Sequence, residues 1–307
     1  MSEAIAWVGV DWGTSNLRAW VIGGDGEVTG QAESDQGMGK LAREQFPQAL
    51  QDVLDRLALP EGKVDIVICG MAGARQGWLE APYLEAPTDL ASLGAGAVHP
   101  GMQDKRLNVS ILPGVCQRVG GEDVMRGEET QLLGLASLSP GYTGLVCMPG
   151  THSKWARLEG TRIEHFSTAM TGEMFALLKT QSVLRHSLGG PLEGPAQDEG
   201  FVAGARDGLD NPAALLGQLF TVRAASLLSG KTPDWCAGYL SGLLIGTEIA
   251  ATLSDIGTDP VPLIGSAKLC GLYMRVLNMA GASGRLVDST EVVLAGLKTA
   301  RVHSLRT

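Results

Sequence analysis

The sequence predicts an α/β protein built of two similar halves, and three observations lead there. Short apolar runs alternate with segments of helical periodicity. The order strand, Gly-Thr loop, strand, tight turn, strand, helix occurs twice, with GTSNLRAW at 13–20 facing GTHSKWAR at 150–157. Glycine is abundant, 42 of 307 residues, about twice ordinary usage. That calls for tight turns and close backbone approaches, and in an acidic chain of this length it favours loops that grip a small ligand. The repetition reads as an internal duplication with its boundary near 140–143 (PGYT), giving halves at 1–142 and 143–307.

The elements follow in order. Residues 4–11 (AIAWVGVD), 16–22 (NLRAWVI) and 28–33 (VTGQAE) read as a three-stranded meander, its first connection the loop WGTS and its second the turn GGDGE. Lys40–Leu59 carries apolar residues near helical spacing, with Pro47 in its first turns, where proline is tolerated. Val64–Cys69 (VDIVIC) is almost wholly apolar, as a central buried strand should be. Val109–Val115 reads as another strand and Asp123–Leu135 as a helix. The second half opens with a strand at 145–149, then strands at 154–158 and 162–167 and a helix from Gly172 to Leu188. Residues 189–212, rich in Gly, Pro and Asp, read as a connector. Helical patterns follow near 213–229, 236–253 and 267–280, the last preceded by the short strand Val261–Ile264. The tail 289–301 reads as a closing helix capped by Ser289 or Thr290.

Composition excludes several function classes. With 44% apolar and 19% charged residues the chain is globular. Its net charge of −9 and the absence of any Lys/Arg run argue against nucleic acid or an anionic membrane as partner. Cys69, Cys116, Cys147, Cys236 and Cys270 are scattered singly, which reads as reduced, mostly buried thiols. Neither a signal-like N-terminus nor a long apolar stretch occurs, so the expectation is a soluble cytoplasmic protein. Composition leaves a homo-oligomer open.

Two loops have the character of phosphate sites, where backbone N–H groups and hydroxyls must be dense and side chains few. Asp11-Trp12-Gly13-Thr14-Ser15-Asn16 ends a strand with an aspartate able to hold Mg²⁺ through water. Gly150-Thr151-His152-Ser153 lacks the aspartate but can grip from another side. Two decoys fall away. ASLLSGKT at 225–232 fits a relaxed P-loop, yet it ends a helical pattern and precedes Pro233. Gly37-Met38-Gly39 through Ala42 fits G-x-G-x-x-A without the required βαβ unit. No G-x-S-x-G elbow is present, and His99, His152, His165, His186 and His303 show no metal spacing; only His152 sits in a candidate loop.

GVDWGTSNLRAWVI resembles the first phosphate motif of the actin, sugar-kinase and Hsp70 ATPase superfamily, MPGTHSKW the second, and VPLIGSAKLCGLY its adenosine motif, in the expected order. The wording of WGTSNLRAW, DVMRGEETQ, PGTHSKW and YLSGLLIGTE resembles the 2-dehydro-3-deoxygalactonokinase family, along essentially the whole chain. The resemblance implies two ribonuclease-H-like halves of the actin-like ATPase fold with ATP in the interdomain cleft. It implies ATP- and Mg²⁺-dependent phosphorylation of the 6-hydroxyl of a 2-keto-3-deoxy sugar acid, 2-dehydro-3-deoxy-D-galactonate, in galactonate degradation. Gly13, Thr14, Ser15, Asn16, Gly150, Thr151 and His152 would hold the phosphates, Gly265, Ser266 and Leu269 the adenosine, and Asp11 the metal.

Phosphoryl transfer also needs a carboxylate near the attacking hydroxyl. Asp123 is the candidate base, expected after a strand and the Gly120-Gly121 turn to open a helix; Glu128, beside Arg126 and Glu129, is the alternative. A guanidinium suits the substrate carboxylate, from Arg75 or from Arg126, and Gly37-Met38-Gly39 is a candidate substrate loop. Two other readings compete: a kinase of another sugar in the superfamily, and a nucleotide-binding regulator of actin or Hsp70 type. The short, well-filled chain offers no evident lid or peptide-binding segment, which favours the enzyme.

Overall fold

The structure, a computed structural model, describes residues 6–189 and 194–304. By its internal contacts the chain divides into two units. The first holds the residues up to Thr143, Leu158–His165 and those from Asp288 on; the second holds Gly144–Arg157 and Phe166–Val287. The first break thus falls next to residue 142. The closing helix and the 158–165 hairpin group with the first unit, an arrangement that a single cut at 142/143 does not capture.

The first unit is built on β1 (Trp7–Trp12), β2 (Leu17–Ile22) and β3 (Val28–Ser34), an antiparallel meander, as the alternating runs and the GGDGE turn require. Residues 4 and 5 of the expected first strand lie outside the described residues. Helix α1 (Phe46–Leu54) is shorter than the expected 40–59. Its start is set by Pro47 in the first turn, and the residues before it form two single 3₁₀ turns, Met38–Lys40 and Arg43–Gln45. Strand β4 (Val64–Gly70) lies parallel to β1 and is buried nearly throughout. Strands β5 (Tyr83–Glu85) and β6 (Thr88–Asp89) are too short to carry a pattern. The expected strand at 109–115 is two strands, β7 (Leu107–Ile111) and β8 (Gly114–Gln117), broken at Pro113, which has no N–H to continue a ladder. Next come β9 (Asp123–Met125) and α2 (Glu128–Leu138). The expected helix at 123–135 therefore starts five residues late: 123–125 pairs with β8 instead.

The second unit repeats the plan with β10 (Thr143–Met148), β11 (Ser153–Glu159) and β12 (Arg162–Ala169), then α3 (Thr171–Thr180). The expected helix to Leu188 ends earlier and gives way to a 3₁₀ turn at Val183–Ser187. The connector at 189–212 is largely a helix, α4 (Pro195–Asp210); residues 190–193 lie outside the described residues. Helices α5 (Leu215–Leu228) and α6 (Pro233–Ala250) follow, then β13 (Val261–Ile264), α7 (Ala267–Met279), the unforeseen β14 (Gly284–Val287) and α8 (Ser289–Ser304). The P-loop decoy is the end of α5, where Lys231 N–H donates to the Ala225 carbonyl (3.2 Å) to close the helix.

The duplication shows in strand order. The first sheet runs β3-β2-β1-β4-β7 and the corresponding strands of the second run β12-β11-β10-β13-β14. In both, the first strand of the meander is flanked on its far side by two parallel strands.

Trp12, Phe46 and Trp78 pack together in the first core, with ring centroids 5.0 and 6.4 Å from Trp12. The glycines are spent differently from the expectation. Gly200, Gly204 and Gly208 of α4 face Gly238, Gly242 and Gly246 of α6. A β-carbon on Gly204 would stand 2.0 Å from the Tyr239 carbonyl oxygen, and one on Gly242 2.1 Å from that of Phe201. The two helices touch backbone to backbone, and only hydrogen fits between. Gly134 of α2 and Gly296 of α8 do the same. Glycine once per turn, with little apolar bulk, is why α4 reads as a connector from sequence. All five cysteines are buried and free, as expected.

Candidate active site

In the first unit, the C-terminal ends of β1 and β4 and the start of α2 converge. Asp11 stands opposite Cys69 and Trp12 opposite Gly70 in the parallel pair. Gly70 (φ 91°) and Gly127 (φ 111°) both adopt left-handed backbone that side chains rarely reach, and a β-carbon on Gly127 would lie 3.3 Å from Gly70 Cα. Asp11 Oδ2 accepts from Arg18 Nη2 at 2.6 Å and its Oδ1 is 3.9 Å from the Cys69 thiol. Burial, then the Asp11 and Glu129 carboxylates, push that thiol well above its usual range, so it stays protonated and unreactive.

The loop Gly13–Asn16 is closed by Gly13 N–H donating to the Asn16 carbonyl (2.8 Å). Thr14, Ser15 and Asn16 are exposed. The Gly37-Met38-Gly39 segment is laced to this loop: Gly37, Met38 and Gly39 N–H groups donate to the carbonyls of Ser15, Gly13 and Thr14 at 3.2, 3.0 and 2.9 Å. The sequence treated these two loops as separate candidates; the fold makes them one surface.

The helix expected to open at Asp123 opens at Glu128. Asp123 lies on β9, its carboxylate accepting from Val124 N–H (2.7 Å), so the strand–helix junction proposed for the base carries Glu128 and Glu129 instead. Glu128 is partly exposed and accepts from Arg126 N–H (3.1 Å). Glu129 is fully buried; both its oxygens accept from Gly127 N–H (2.9 and 2.7 Å), and burial, followed by the charge of Glu128, pushes its carboxyl up to about 7.

The two arginines differ. The Arg75 side chain is 83% exposed, with Glu80 at 4.0 Å. Arg126 is 8% exposed, lies 4.3 Å over the Tyr83 ring and donates through Nη2 to the Ala81 carbonyl (2.9 Å). Its Nε and Nη1 have no hydrogen-bond partner.

In the second unit, the Gly150–Ser153 loop joins β10 to β11 and is held from below. Ser153 Oγ is 2.8 Å from the Tyr273 hydroxyl, and Tyr273 donates to Glu248 (2.7 Å). Glu248, on α6, also accepts from Trp155 Nε1 (2.8 Å) and Thr171 Oγ1. Burial raises its carboxyl and these donors oppose the rise. One buried carboxylate, the last residue of YLSGLLIGTE, therefore ties the loop, the start of α3 and α7 together, a role the motif alone does not announce.

Beside the loop lies an open, largely apolar pocket. Gly150, Thr171 and Gly172 form one rim, and Phe175, Leu244, Ile245, Leu269 and Leu272 line an apolar slot with Lys268 and Tyr273. Leu269, expected at the adenosine, is on this wall. Gly265 and Ser266 stand behind it: Ser266 caps α7 by accepting from Leu269 N–H (3.3 Å), and a β-carbon on Gly265 would come 3.0 Å from the Pro149 carbonyl. Among the described residues no helix is long and apolar enough to cross a membrane, and no cluster of three metal-ligating side chains occurs.

A duplicated sheet of this order, with a glycine loop at the same place in each copy, defines the actin-like ATPase fold. A dehydratase activator from Clostridium difficile, 12% identical, shares that fold at a TM-score of 0.51 over 98% of this chain and 96% of its own. The 2-keto-3-deoxy-galactonokinase family model matches residues 11–300, and the chain belongs to that family. It is 43% identical over 98% of both chains to a Rhizobium meliloti protein named as a probable 2-dehydro-3-deoxygalactonokinase. It is 34% identical to the Escherichia coli 2-dehydro-3-deoxygalactonokinase, over 95% of this chain and 96% of that one. A solved Sinorhizobium meliloti structure assigned the same name matches with a TM-score of 0.88 and 43% identity, over 96% of this chain and 95% of that one. The protein is thus a phosphotransferase with an alcohol group as acceptor.

Proposed function

We propose that the protein transfers the γ-phosphoryl group of ATP to the 6-hydroxyl of 2-dehydro-3-deoxy-D-galactonate in galactonate catabolism in the cytoplasm. The observation that carries the nucleotide part is that Gly150, on the second phosphate loop, and Gly172, in the first turn of α3, rim the same pocket that Leu269 and Leu272 line. An apolar slot takes the purine, and the adjoining glycine cradle offers backbone N–H groups to phosphate with no side chain in the way. Thr151 and His152 add donors there, as Gly13–Asn16 do in the first unit.

Asp11 suits Mg²⁺ held through water: its carboxylate ends β1 beside the first phosphate loop, and the Arg18 pair orients it without burying it. The metal supplies charge neutralisation on the phosphates. Glu128 takes the part of base in preference to Asp123, because it sits at the junction where β1, β4 and α2 meet and remains partly exposed. It orients the sugar hydroxyl and accepts its proton as the oxygen–phosphorus bond forms and the bond to the ADP oxygen breaks. Glu129, tied to Gly127 N–H, fixes the turn that carries Glu128.

The substrate carboxylate calls for a guanidinium. Arg126 is favoured over Arg75, since a buried cation with two unpaired nitrogens is costly until an anion joins it. Gly37-Met38-Gly39 supplies a second side to the sugar site. An ADP-release screen over sugar acids and their neutral analogues tests the reading. Fast turnover of the keto-deoxy acid and slow turnover of its carboxylate-free analogue is the expected result; equal turnover of both removes the sugar-acid assignment.

A further inference from the structure

We propose that Glu173 is a positioning residue for the phosphates of the nucleotide, acting through His152. The inference rests on the reading of residues 150–153 as the second phosphate loop.

His152 Nε2 lies 2.5 Å from Glu173 Oε2. Nε2–H donates a hydrogen bond to the carboxylate, and among the described residues Nδ1 has no hydrogen-bond partner. A carboxylate on one nitrogen fixes the imidazole plane and leaves the other nitrogen for a ligand. Phosphate oxygens only accept hydrogen bonds. The ring therefore serves them with both nitrogens as donors, one to the phosphate and one to the Glu173 carboxylate.

The placement of Glu173 does not depend on its side chain. Its N–H donates to the Thr151 carbonyl at 3.0 Å, and a β-carbon on the preceding Gly172 would stand 2.4 Å from the Gly150 carbonyl oxygen. The start of α3 is thus fixed against the loop by backbone alone, and the carboxylate is an addition to a contact already made. Stability does not account for that addition. The two side chains are 49% and 36% exposed, and exposed pairs of this kind contribute little to folding. What the pair does is hold a side-chain donor in a fixed direction on a loop whose other donors are backbone and hydroxyl.

Calorimetric titration with ATP, in the absence of sugar acid, tests this, with adenosine as the second probe. Glu173→Gln keeps the shape and the backbone contact but loses the charge. The expected result is roughly tenfold weaker ATP binding, as for loss of one charge-assisted hydrogen bond, with adenosine binding unchanged. His152→Ala should weaken ATP to a similar extent, and Glu173→Gln should add nothing in the His152→Ala background. Weaker ATP binding in His152→Ala with none in Glu173→Gln overturns the proposal and leaves the phosphate loop standing. Unchanged ATP binding in His152→Ala removes both. Additive losses, or a parallel loss of adenosine affinity, mean that Glu173 acts on the fold and not through His152, and overturn the proposal as well.

Discussion

Gly127, at the start of α2, comes so close to Gly70, at the end of β4, that a β-carbon on it would lie 3.3 Å from Gly70 Cα. A β-carbon on Gly70 would in turn stand 2.6 Å from the Trp12 carbonyl oxygen. The turn carrying Glu128 is thus seated on the strand beside the one that ends in the first phosphate loop. Gly70→Ala should lower stability by about 2–4 kcal/mol, combining left-handed backbone with a backbone clash, and should depress kcat. Gly62→Ala is the control: its φ is also positive, 84°, but nothing lies within 4 Å, so about 1 kcal/mol and normal activity are expected. Urea unfolding and steady-state kinetics on both variants decide the matter.

The metal reading is tested at Asp11. Asp11→Asn should leave the fold intact, because the side chain ends a strand at 19% exposure and is not core. Its kcat should fall by about 10²–10³, as loss of several kcal/mol of charge stabilisation predicts, and should recover partly at high Mg²⁺. Near-normal kcat at ordinary Mg²⁺ would remove the role.

The choice of base is tested by a pair of substitutions. Glu128→Gln should cut kcat by about 10²–10⁴ while ATP binding persists. Asp123→Asn should stay within a few-fold of the parent, since its carboxylate accepts from Val124 N–H, an interaction the amide oxygen can keep. The reverse ranking would return the base to Asp123.

Glu129 makes stability depend on pH in a definite sense. Its carboxyl, ordinarily near 4.5, is pushed up to about 7 in the folded protein, so the folded state holds a proton that the unfolded chain releases. The resulting stabilisation is complete below pH 4.5 and is lost as pH rises through 7. At about 1.4 kcal/mol per unit, roughly 3 kcal/mol is at stake. Glu129→Gln keeps an acceptor for Gly127 N–H and cannot ionise. Its Tm should show a flatter fall between pH 5 and 8 than the parent's, with the two curves meeting at the acid end. Parallel curves would contradict the burial argument.

The adenosine slot predicts a selective change in nucleotide affinity. Ser241 lines the slot beside Leu244 and Ile245, so Ser241→Phe should fill it. KM for ATP should rise about tenfold or more with kcat and KM for the sugar acid little changed; an unchanged KM would place the base elsewhere.

Much of the fold was legible because short apolar runs and turn residues mark β1–β3 and β10–β12 directly, and because the Gly-Thr loops recur at matching places. Leu269 could be foreseen for the same reason, as one turn into a helix that follows an apolar strand and Gly-Ser. Asp123 could not. An Asp after Gly-Gly reads as an N-cap, but β8 offers 123–125 a strand partner, and the helix waits for Gly127, whose left-handed backbone turns the chain. Arg126 and Arg75 look alike in sequence; only the fold buries one under Tyr83 and leaves the other in water. Glu248 is an ordinary helical residue until α3, α7 and β11 bring Thr171, Tyr273 and Trp155 to it.

The paired glycines of α4 and α6 bear on how this protein can vary. At six positions four residues apart, 200, 204, 208 and 238, 242, 246, nineteen of the twenty residue types are excluded by the same carbonyl contacts, whatever their polarity. A saturation-mutagenesis map should therefore display two intolerant ladders along α4 and α6. Conservation read from such a map would mark them as strongly as the phosphate loops, and only adding the nucleotide as a second selection would tell the two kinds of constraint apart.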